Sequence, residues 1–142
     1  SADLSGATFD EARGEKADFT DSRFHRASFE KCRMPGVIFR YAKGKDAEFA
    51  EAEMPGADFS SAIAQCNFDH AMLSGSDFRD TDLSNANFNR TDLTNANLQG
   101  ASLTGVNLAR ARTEGATDPH GHKLVARKNK KPKPPWWKFW AK

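Results

Sequence analysis

The sequence has few of the residues from which catalytic and metal sites are usually built. Its 142 residues include two cysteines, one tyrosine and four histidines, and hydrophobic residues make up 38%. No Ser-His-Asp, Cys-His or paired-carboxylate arrangement stands out. His120 and His122 supply fewer ligands than a metal site needs. No run approaches the roughly 20 apolar residues of a membrane-spanning helix. We therefore predict no enzymatic activity, no cofactor, no metal and no transmembrane segment.

A large apolar residue recurs every five positions between residues 76 and 108. It stands at Phe78, Leu83, Phe88, Leu93, Leu98, Leu103 and Leu108. A small residue, Ser, Thr, Ala or Val, lies two positions before each of them. A period of five fits neither the 3.6 of a helix nor the 2.0 of a flat strand. The chain must therefore turn a corner every five residues, which predicts a solenoid.

The same pattern extends back to the start of the chain, and a second period of twenty lies on top of it. This second period places most phenylalanines in two facing columns, which we predict to form the structural core. One column contains Phe9, Phe29, Phe49, Phe68 and Phe88, and the other Phe19, Phe39, Phe59 and Phe78. Gly14 and Gly44 replace the large residue, and we expect neighbours from adjacent coils to fill the space.

The register breaks once, between Phe59 and Phe68, which lie nine residues apart where ten would keep the period. We predict that Ile63 takes the large position there and that a kink lies between residues 61 and 65. Cys32 and Cys66 fall at small inward positions in different columns. We therefore expect two small core residues and no disulfide, as in a reducing compartment.

The pattern A-(D/N)-(L/F)-x-x resembles that of the pentapeptide-repeat family over about four-fifths of the chain. The resemblance implies an all-β fold, a right-handed quadrilateral β-helix solenoid with four pentapeptides per coil. Twenty-two large positions then give about five and a half coils, roughly 26 Å at ~4.8 Å per strand. We assign the β-helix to residues 1–115 and a basic, Pro- and Trp-rich tail, acting as cap, anchor or linker, to residues 116–142. Because the register already holds at Ser1, we expect a fragment or processed product of a longer protein.

Charge separates these two parts of the chain. Residues 1–115 contain 18 acidic and 13 basic residues, a net charge of −5. Residues 116–142 contain one acidic and eight basic residues, a net charge of +7, and the two sums give the overall +2. The predicted rod is thus mildly acidic, and the tail is strongly basic.

The tail contains all three tryptophans of the protein. The predicted contact residues are aromatic or basic: Trp136, Trp137, Phe139, Trp140, Lys131, Lys133 and Lys138. Aromatic rings settle at membrane interfaces and lysines are drawn to anionic lipid, so an anionic membrane surface is one predicted partner. Two alternatives stay open: the tail caps the last coil, or it binds a protein partner or a second copy. Single-stranded nucleic acid is the least favoured partner.

The sequence favours a non-enzymatic bacterial interaction module, a rigid rod docked through its tail to a membrane surface or a protein partner. We expect it in the cytoplasm, peripheral to the inner membrane, with end-to-end stacking as a route to a homodimer. The resemblance also implies an alternative, because some family members mimic duplex DNA, bind type II topoisomerases and confer quinolone resistance. Basic residues such as Arg13, Lys31 and Lys43 interrupt the acidic surface that such mimicry needs. A further alternative is the terminal domain of a larger bacterial effector or membrane protein.

Overall fold

The computed structural model describes residues 1–125 of the chain, and in this part all regular structure is β-structure. Strand β1 (Lys43–Glu48) and strand β2 (Ile63–Asn67) pair in parallel. The other coils are joined by single parallel bridges between residues 19 or 20 positions apart, such as Asp3 with Arg23 and Asp58 with Asp77. Each residue therefore lies against its equivalent one coil further along the chain, as in a solenoid.

The bridges form four ladders, one on each face of a rod, and each ladder residue lies between the small and the large inward residue of its repeat. Face 1 carries Asp3, Arg23, Lys43, Ile63, Asp82 and Ser102; face 2 carries Thr8, Ser28, Glu48, Asn67 and Asn87. Face 3 carries Arg13, Arg33, Glu53, Met72, Asp92 and Arg112; face 4 carries Asp18, Ile38, Asp58, Asp77, Asn97 and Thr117. The four faces meet at turns, so the cross-section is quadrilateral.

Two phenylalanine columns fill the inside of the rod. Within a column the rings stack in parallel, as for Phe29 and Phe49, whose centroids lie 4.8 Å apart with planes 6° apart. Between columns the rings meet edge to face, as for Phe39 and Phe49 at 5.7 Å and 89°. Both geometries suit the ring quadrupole. Phe9 and Phe19, in the first coil, are partly buried, whereas the seven later members of the two columns are at most 1% exposed.

Most corners of the rod are turns with a left-handed residue. The amide of Ala12, for example, donates to the carbonyl of Phe9 at 3.0 Å, and the intervening Glu11 has a φ of 60°. A positive φ at the third turn residue is the signature of a type II turn. No β-branched residue occupies such a position among the non-glycine residues with positive φ. Stacking on the adjacent coils supports a conformation that L-residues otherwise disfavour.

An Asp or Asn on the ladder braces many of these turns, mainly in the coils after Asp58. The carboxylate Oδ1 of Asp92 accepts from the backbone N–H of Thr94 at 3.0 Å and from its hydroxyl at 2.8 Å. The amide oxygen of Asn97 accepts from the Gln99 N–H at 3.0 Å in the same way. This Asx-type bond holds the first turn residue in place. The Asp and Asn in the repeat are therefore structural, which the sequence analysis did not recognise.

The register break has a different local structure from the one predicted. Ala64, not Ile63, takes the large inward position: Ala64 is 0% exposed and pairs with Gly44, while Ile63 lies on the outward ladder. The prediction for Ile63 was wrong. The missing residue is removed from the corner after Ala64, where Cys66 follows two positions later. That corner contains no turn, and β2 runs straight through it opposite a bulge in β1 between Lys45 and Glu48.

Gly44 leaves room that an earlier coil fills. A Cβ at Gly44 would lie 1.9 Å from Cε2 of Phe24, so the Phe24 ring occupies the place of the absent side chain. The expectation that a neighbour compensates for Gly44 is confirmed. A Cβ at Gly14 would instead meet only Ala17 at 3.5 Å, an ordinary contact.

The chain reverses after the last parallel bridge of face 4. Thr117 pairs antiparallel with Lys123, and the amide of Leu124 donates to the carbonyl of Ala116 at 2.7 Å. Asp118 is 5% exposed, and its Oδ1 accepts from the N–H groups of His120 and His122 at 2.8 and 3.0 Å. This reversal, residues 117–124, satisfies backbone groups that would otherwise be left open at this level of the rod.

Candidate interaction surface

The described residues offer no assembled reactive site. Within residues 1–125, no group of three or more His, Cys, Asp or Glu could hold a metal ion, and no helix could cross a membrane. Cys32 and Cys66 are free and buried. Burial raises the pKa of the Cys32 thiol to about 12 and raises that of Cys66 as well. Neither sulfur is a thiolate at neutral pH, so neither is a nucleophile or a ready metal ligand.

The predicted contact residues of the tail, from Lys131 to Trp140, lie outside the described residues. The predicted core phenylalanines, by contrast, are in the described part and face inward in the two columns. The side chains that remain available to a partner in residues 1–125 are those of the four ladders and the corners between them. The four faces differ in chemistry, and we describe each from its ladder outward.

Face 4 has compensated charges. The Arg40 guanidinium donates to Oδ2 of Asp58 at 2.6 Å, and that of Arg79 to Oδ2 of Asp77 at 2.7 Å. Partial burial opposes ionisation of Asp58, but hydrogen bonds from Ser60 and Arg40 outweigh it and lower its pKa. Each arginine thus lies against a carboxylate, and a partner meets little net charge at either pair.

Face 2 carries a ladder of amides. The Asn87 side-chain NH₂ donates to Oδ1 of Asn67 at 3.0 Å, and that of Asn67 donates to Oε2 of Glu48 at 2.7 Å. A shallow depression of about 220 Å³ lies here, at the corner that lost its turn, and Asp46 and Gln65 help to line it. These side chains use much of their hydrogen-bonding capacity within the ladder, so face 2 is polar but has few donors and acceptors left for a partner.

Face 3 combines a basic start with an exposed apolar residue. Arg13 and Arg33 are neighbours on the ladder, and Nε of Arg33 lies 3.3 Å from Oε2 of Glu53. Both side chains of that pair are more than 40% exposed, so the pair contributes little to stability. Met72, two ladder positions beyond Arg33, is 48% exposed.

Face 1 carries charges of both signs on its ladder, with Asp3 beside Arg23 and Asp82 one step beyond Ile63. Arg23 and Lys43 are neighbours on its ladder, and an open depression of about 610 Å³ is lined by these two residues together with Asp21 and Tyr41. Tyr41, the single tyrosine of the chain, is 54% exposed. No ion pair involves a ladder residue of face 1 among the described residues. Sequence reasoning missed this difference because it did not assign outward residues to separate faces.

Parallel ladders on four sides, type II corners and an inward apolar column together define a quadrilateral β-helical solenoid. The family model described as pentapeptide repeats matches eight copies, over residues 1–36, 63–100 and 73–109. The chain belongs to this family, and the predicted fold, an all-β right-handed quadrilateral β-helix, is confirmed. No curated protein sequence matches the chain.

Solved structures of similar fold come from the same family. HetL, a pentapeptide repeat protein involved in heterocyst differentiation regulation from the cyanobacterium Nostoc sp. strain PCC 7120, is 26% identical with a TM-score of 0.54. The alignment covers 86% of this chain and 64% of HetL, so this chain spans less than two thirds of that protein. A pentapeptide repeat protein from the thylakoid lumen of Arabidopsis thaliana is 30% identical with a TM-score of 0.31, over 81% of this chain and 63% of its own.

A third similar structure is QnrB1, a plasmid-mediated fluoroquinolone resistance protein. It is 17% identical to this chain with a TM-score of 0.37, over 80% of this chain and 66% of its own. At this level of identity the likeness concerns the fold alone.

Proposed function

We propose that this protein is a non-enzymatic interaction module, a rigid β-helical rod that docks through its basic, tryptophan-rich tail to an anionic membrane surface or to a protein partner. One observation carries the proposal: in the described rod the inward residues are all used for packing, and the chemistry that varies lies on the outside. The turn-bracing bond shows this clearly, because Asn97 makes it as Asp92 does. The carboxylate charge is therefore not required by the turn and is free to serve recognition.

The tail provides the second support for docking. Residues 126–142 contain seven basic residues, no acidic residue and all three tryptophans. Each basic residue near an anionic surface contributes about 1 kcal/mol, so seven supply several kcal/mol before the entropy of ordering is subtracted. That is enough for reversible association, and indole rings would add apolar contact at the interface.

Co-sedimentation with liposomes tests the proposal. The intact chain should bind vesicles that contain anionic lipid and not neutral vesicles, with a blue shift of tryptophan emission. A chain that ends at Val125 keeps the reversal at residues 117–124 and should not bind. A full-length chain with Trp136, Trp137 and Trp140 changed to Ala separates the electrostatic contribution of the basic residues from the apolar contribution of the indole rings. It should still bind in a salt-sensitive way, but more weakly.

A failure to bind anionic vesicles would favour the protein partner over the membrane surface. If the intact chain ignores anionic vesicles and its tryptophan emission is already blue-shifted, the membrane is excluded as the docking surface. A protein partner of the rod should then be sought by cross-linking in the native host, with the chain ending at Val125 as control.

A second candidate function rests on the acidity of the later coils. Residues 46–115 contain 11 acidic and four basic residues, a net charge of −7. A mimic of duplex DNA needs such a surface to be continuous and uncompensated, whereas Arg79 and Arg90 each pair with a carboxylate there. The test is whether this protein inhibits DNA supercoiling by purified gyrase, a type II topoisomerase. If a hundredfold excess of this protein over gyrase has no effect, this candidate function is excluded.

A further inference from the structure

The ladder of face 1 begins with Asp3, and its charge changes sign across the level of Ile63. Arg23 and Lys43 occupy neighbouring ladder positions, Ile63 follows, and Asp82 comes next. The corner between faces 4 and 1 carries Tyr41, Ser61 and Asp80 on successive coils. Their stacking is shown by their amides, each of which donates to a carbonyl of the next coil. Next to the level of Ile63 the ladder thus changes from Lys43 to Asp82 and the corner column from Tyr41 to Asp80, while Asp3 and Asp21 lie further away in the first coils of the two columns.

Within residues 1–125 neither Lys43 nor Asp82 forms an ion pair, whereas Arg23 lies beside Asp3 on the ladder and Asp80 interacts with Arg79. Asp82 accepts from Ser84 and from Gln65, which are neutral, and Lys43 has no ion pair. Elsewhere in the same coils the carboxylates of Asp58, Asp69 and Asp77 lie within 3.2 Å of an arginine. Like charges on adjacent strands are unfavourable. The repulsion between Arg23 and Lys43 on face 1 would therefore be reduced by a partner that places a carboxylate next to Lys43.

We propose that face 1 binds face 1 of a second copy of this chain, with the two rods side by side and antiparallel. The twofold axis lies in the interface and crosses both ladders at Ile63. Such an axis reverses the direction along the rod but keeps each column opposite itself. Lys43 and Asp82 each lie one coil from Ile63, so Lys43 of one copy meets Asp82 of the second copy, and the reverse contact forms as well.

The corner column fits the same axis without adjustment. Tyr41 lies one coil before Ser61 and Asp80 one coil after it, so the phenol of Tyr41 meets the carboxylate of Asp80 of the second copy. The two Ile63 side chains, the apolar members of the ladder, meet at the axis. A second copy is the occupant because the two ladder charges next to Ile63, Lys43 and Asp82, are of opposite sign and lie one coil on either side of it, so one face supplies both partners. Arg23, two coils from Ile63, falls opposite Ser102 and forms no ion pair across the interface.

The expected interface is small. A face is about three residues wide and the shared ladder about four steps long, roughly 10 by 20 Å, which buries a few hundred Å² on each copy. Stable complexes bury about 800 Å² on each partner, so this dimer should be weak and reversible. It should also weaken with salt, because its charges are exposed. This arrangement differs from the end-to-end stacking expected from the sequence and does not depend on the tail.

Charge reversal in the full chain tests the proposal by sedimentation equilibrium at low salt, up to about 1 mM protein, where weak dimers are populated. Lys43→Glu alone and Asp82→Lys alone should each raise the dissociation constant about tenfold, because each places two like-charge contacts in the dimer. Mixing these two variants should restore association, since the introduced glutamate of one copy then faces the introduced lysine of the other, and the remaining native Asp82 faces the remaining native Lys43. Arg13→Glu, an unpaired cation on face 3, is the matched control and should change nothing.

Cross-linking gives an independent readout. In the Ile63→Cys chain the two new thiols lie on the axis and should form a disulfide-linked dimer on mild oxidation. Ile38→Cys, at the same ladder position on face 4, should stay monomeric. A chain that is monomeric throughout the concentration range overturns the proposal. So does a mixture that fails to recover, or association that Asp82→Lys abolishes and Lys43→Glu does not, which would assign Asp82 to a different cation.

Discussion

Replacing Gly44 by alanine tests whether the Phe24 ring really substitutes for a missing side chain. The added Cβ would lie 1.9, 2.2 and 2.4 Å from three atoms of that ring. Carbon atoms in contact need about 3.5–4.0 Å, so the ring would have to move by roughly 1.5 Å. It has no open side to move toward, because it is 0% exposed and the Phe39 and Phe49 ring centroids lie 5.0 and 6.0 Å away.

We expect Gly44→Ala to lower the free energy of unfolding by about 3 kcal/mol, at the upper end of what overpacking usually costs. Gly14→Ala is the matched control, because it is also a glycine at the large position and its new Cβ meets only Ala17 at 3.5 Å. That variant should be neutral or more stable by about 0.5 kcal/mol, since alanine restricts the unfolded chain. Urea titration followed by circular dichroism measures both.

A double variant distinguishes a clash from a general intolerance of change. Phe24→Leu makes room at the ring, so Gly44→Ala should cost at least about 1 kcal/mol less in the Phe24→Leu background than alone. Equal losses for Gly14→Ala and Gly44→Ala, or strict additivity of Phe24→Leu with Gly44→Ala, would refute the packing account. The loss in either case would then have to come from the backbone.

Three further predictions concern the turns, the carboxylates and the thiols. Asp92→Ala should lower the free energy of unfolding by about 1 kcal/mol and Asp92→Asn by less than half of that, because the amide keeps the bond to Thr94; urea titration compares them. The pKa values of Asp58, Asp69 and Asp82 are lowered from 3.8 in the folded chain. Their ionised forms therefore stabilise the fold at pH values above 3.8, and this stabilisation is lost as the pH falls through the lower folded pKa values. The melting temperature should accordingly fall between about pH 5 and about pH 2. Neither cysteine should react with a thiol reagent at about pH 8 until urea unfolds the chain, since both are buried; a fast native reaction would contradict this.

The fold could be predicted from the sequence because every coil repeats the same steric demand. A small residue is needed where the chain enters each face, and a large one where it fills the centre. That demand recurs every five residues whatever the outward residues are, so the period is visible even where Gly44 replaces a large side chain. The two phenylalanine columns followed from the same count, since stacked coils place residue 29 against residue 49.

The register break shows where this reasoning fails. The pattern favoured Ile63 for the core because it is the larger residue, but Ala64 is the residue that faces inward. A small residue suffices there, next to a Gly44 whose space the Phe24 ring already fills, so size alone misled the prediction. The candidate surface could not be predicted either, because it depends on which ladder each charge joins, and that assignment depends on the length of every preceding coil.

The bracing role of Asp and Asn could have been found in the sequence. Asp92, like several other ladder residues, is followed two positions later by Ser or Thr, and Asx turns have this spacing. Counting the aspartates only as charge missed a structural role that asparagine also fulfils. The distinction matters for function, because a substitution to asparagine removes charge and leaves the turn in place.

The corner between Ala64 and Cys66 is a local defect in an otherwise regular repeat. One residue is absent, the bulge in β1 absorbs the mismatch, and the ladders before and after it continue with their own period. A rod of this kind can therefore lose a residue at a corner without losing the packing of its other coils. Only the interval changes: equivalent residues lie 19 positions apart across the break and 20 elsewhere, and each later residue keeps the face of its repeat position. A deletion at a corner is therefore absorbed locally, and both the interior and the assignment of outward residues to faces are preserved.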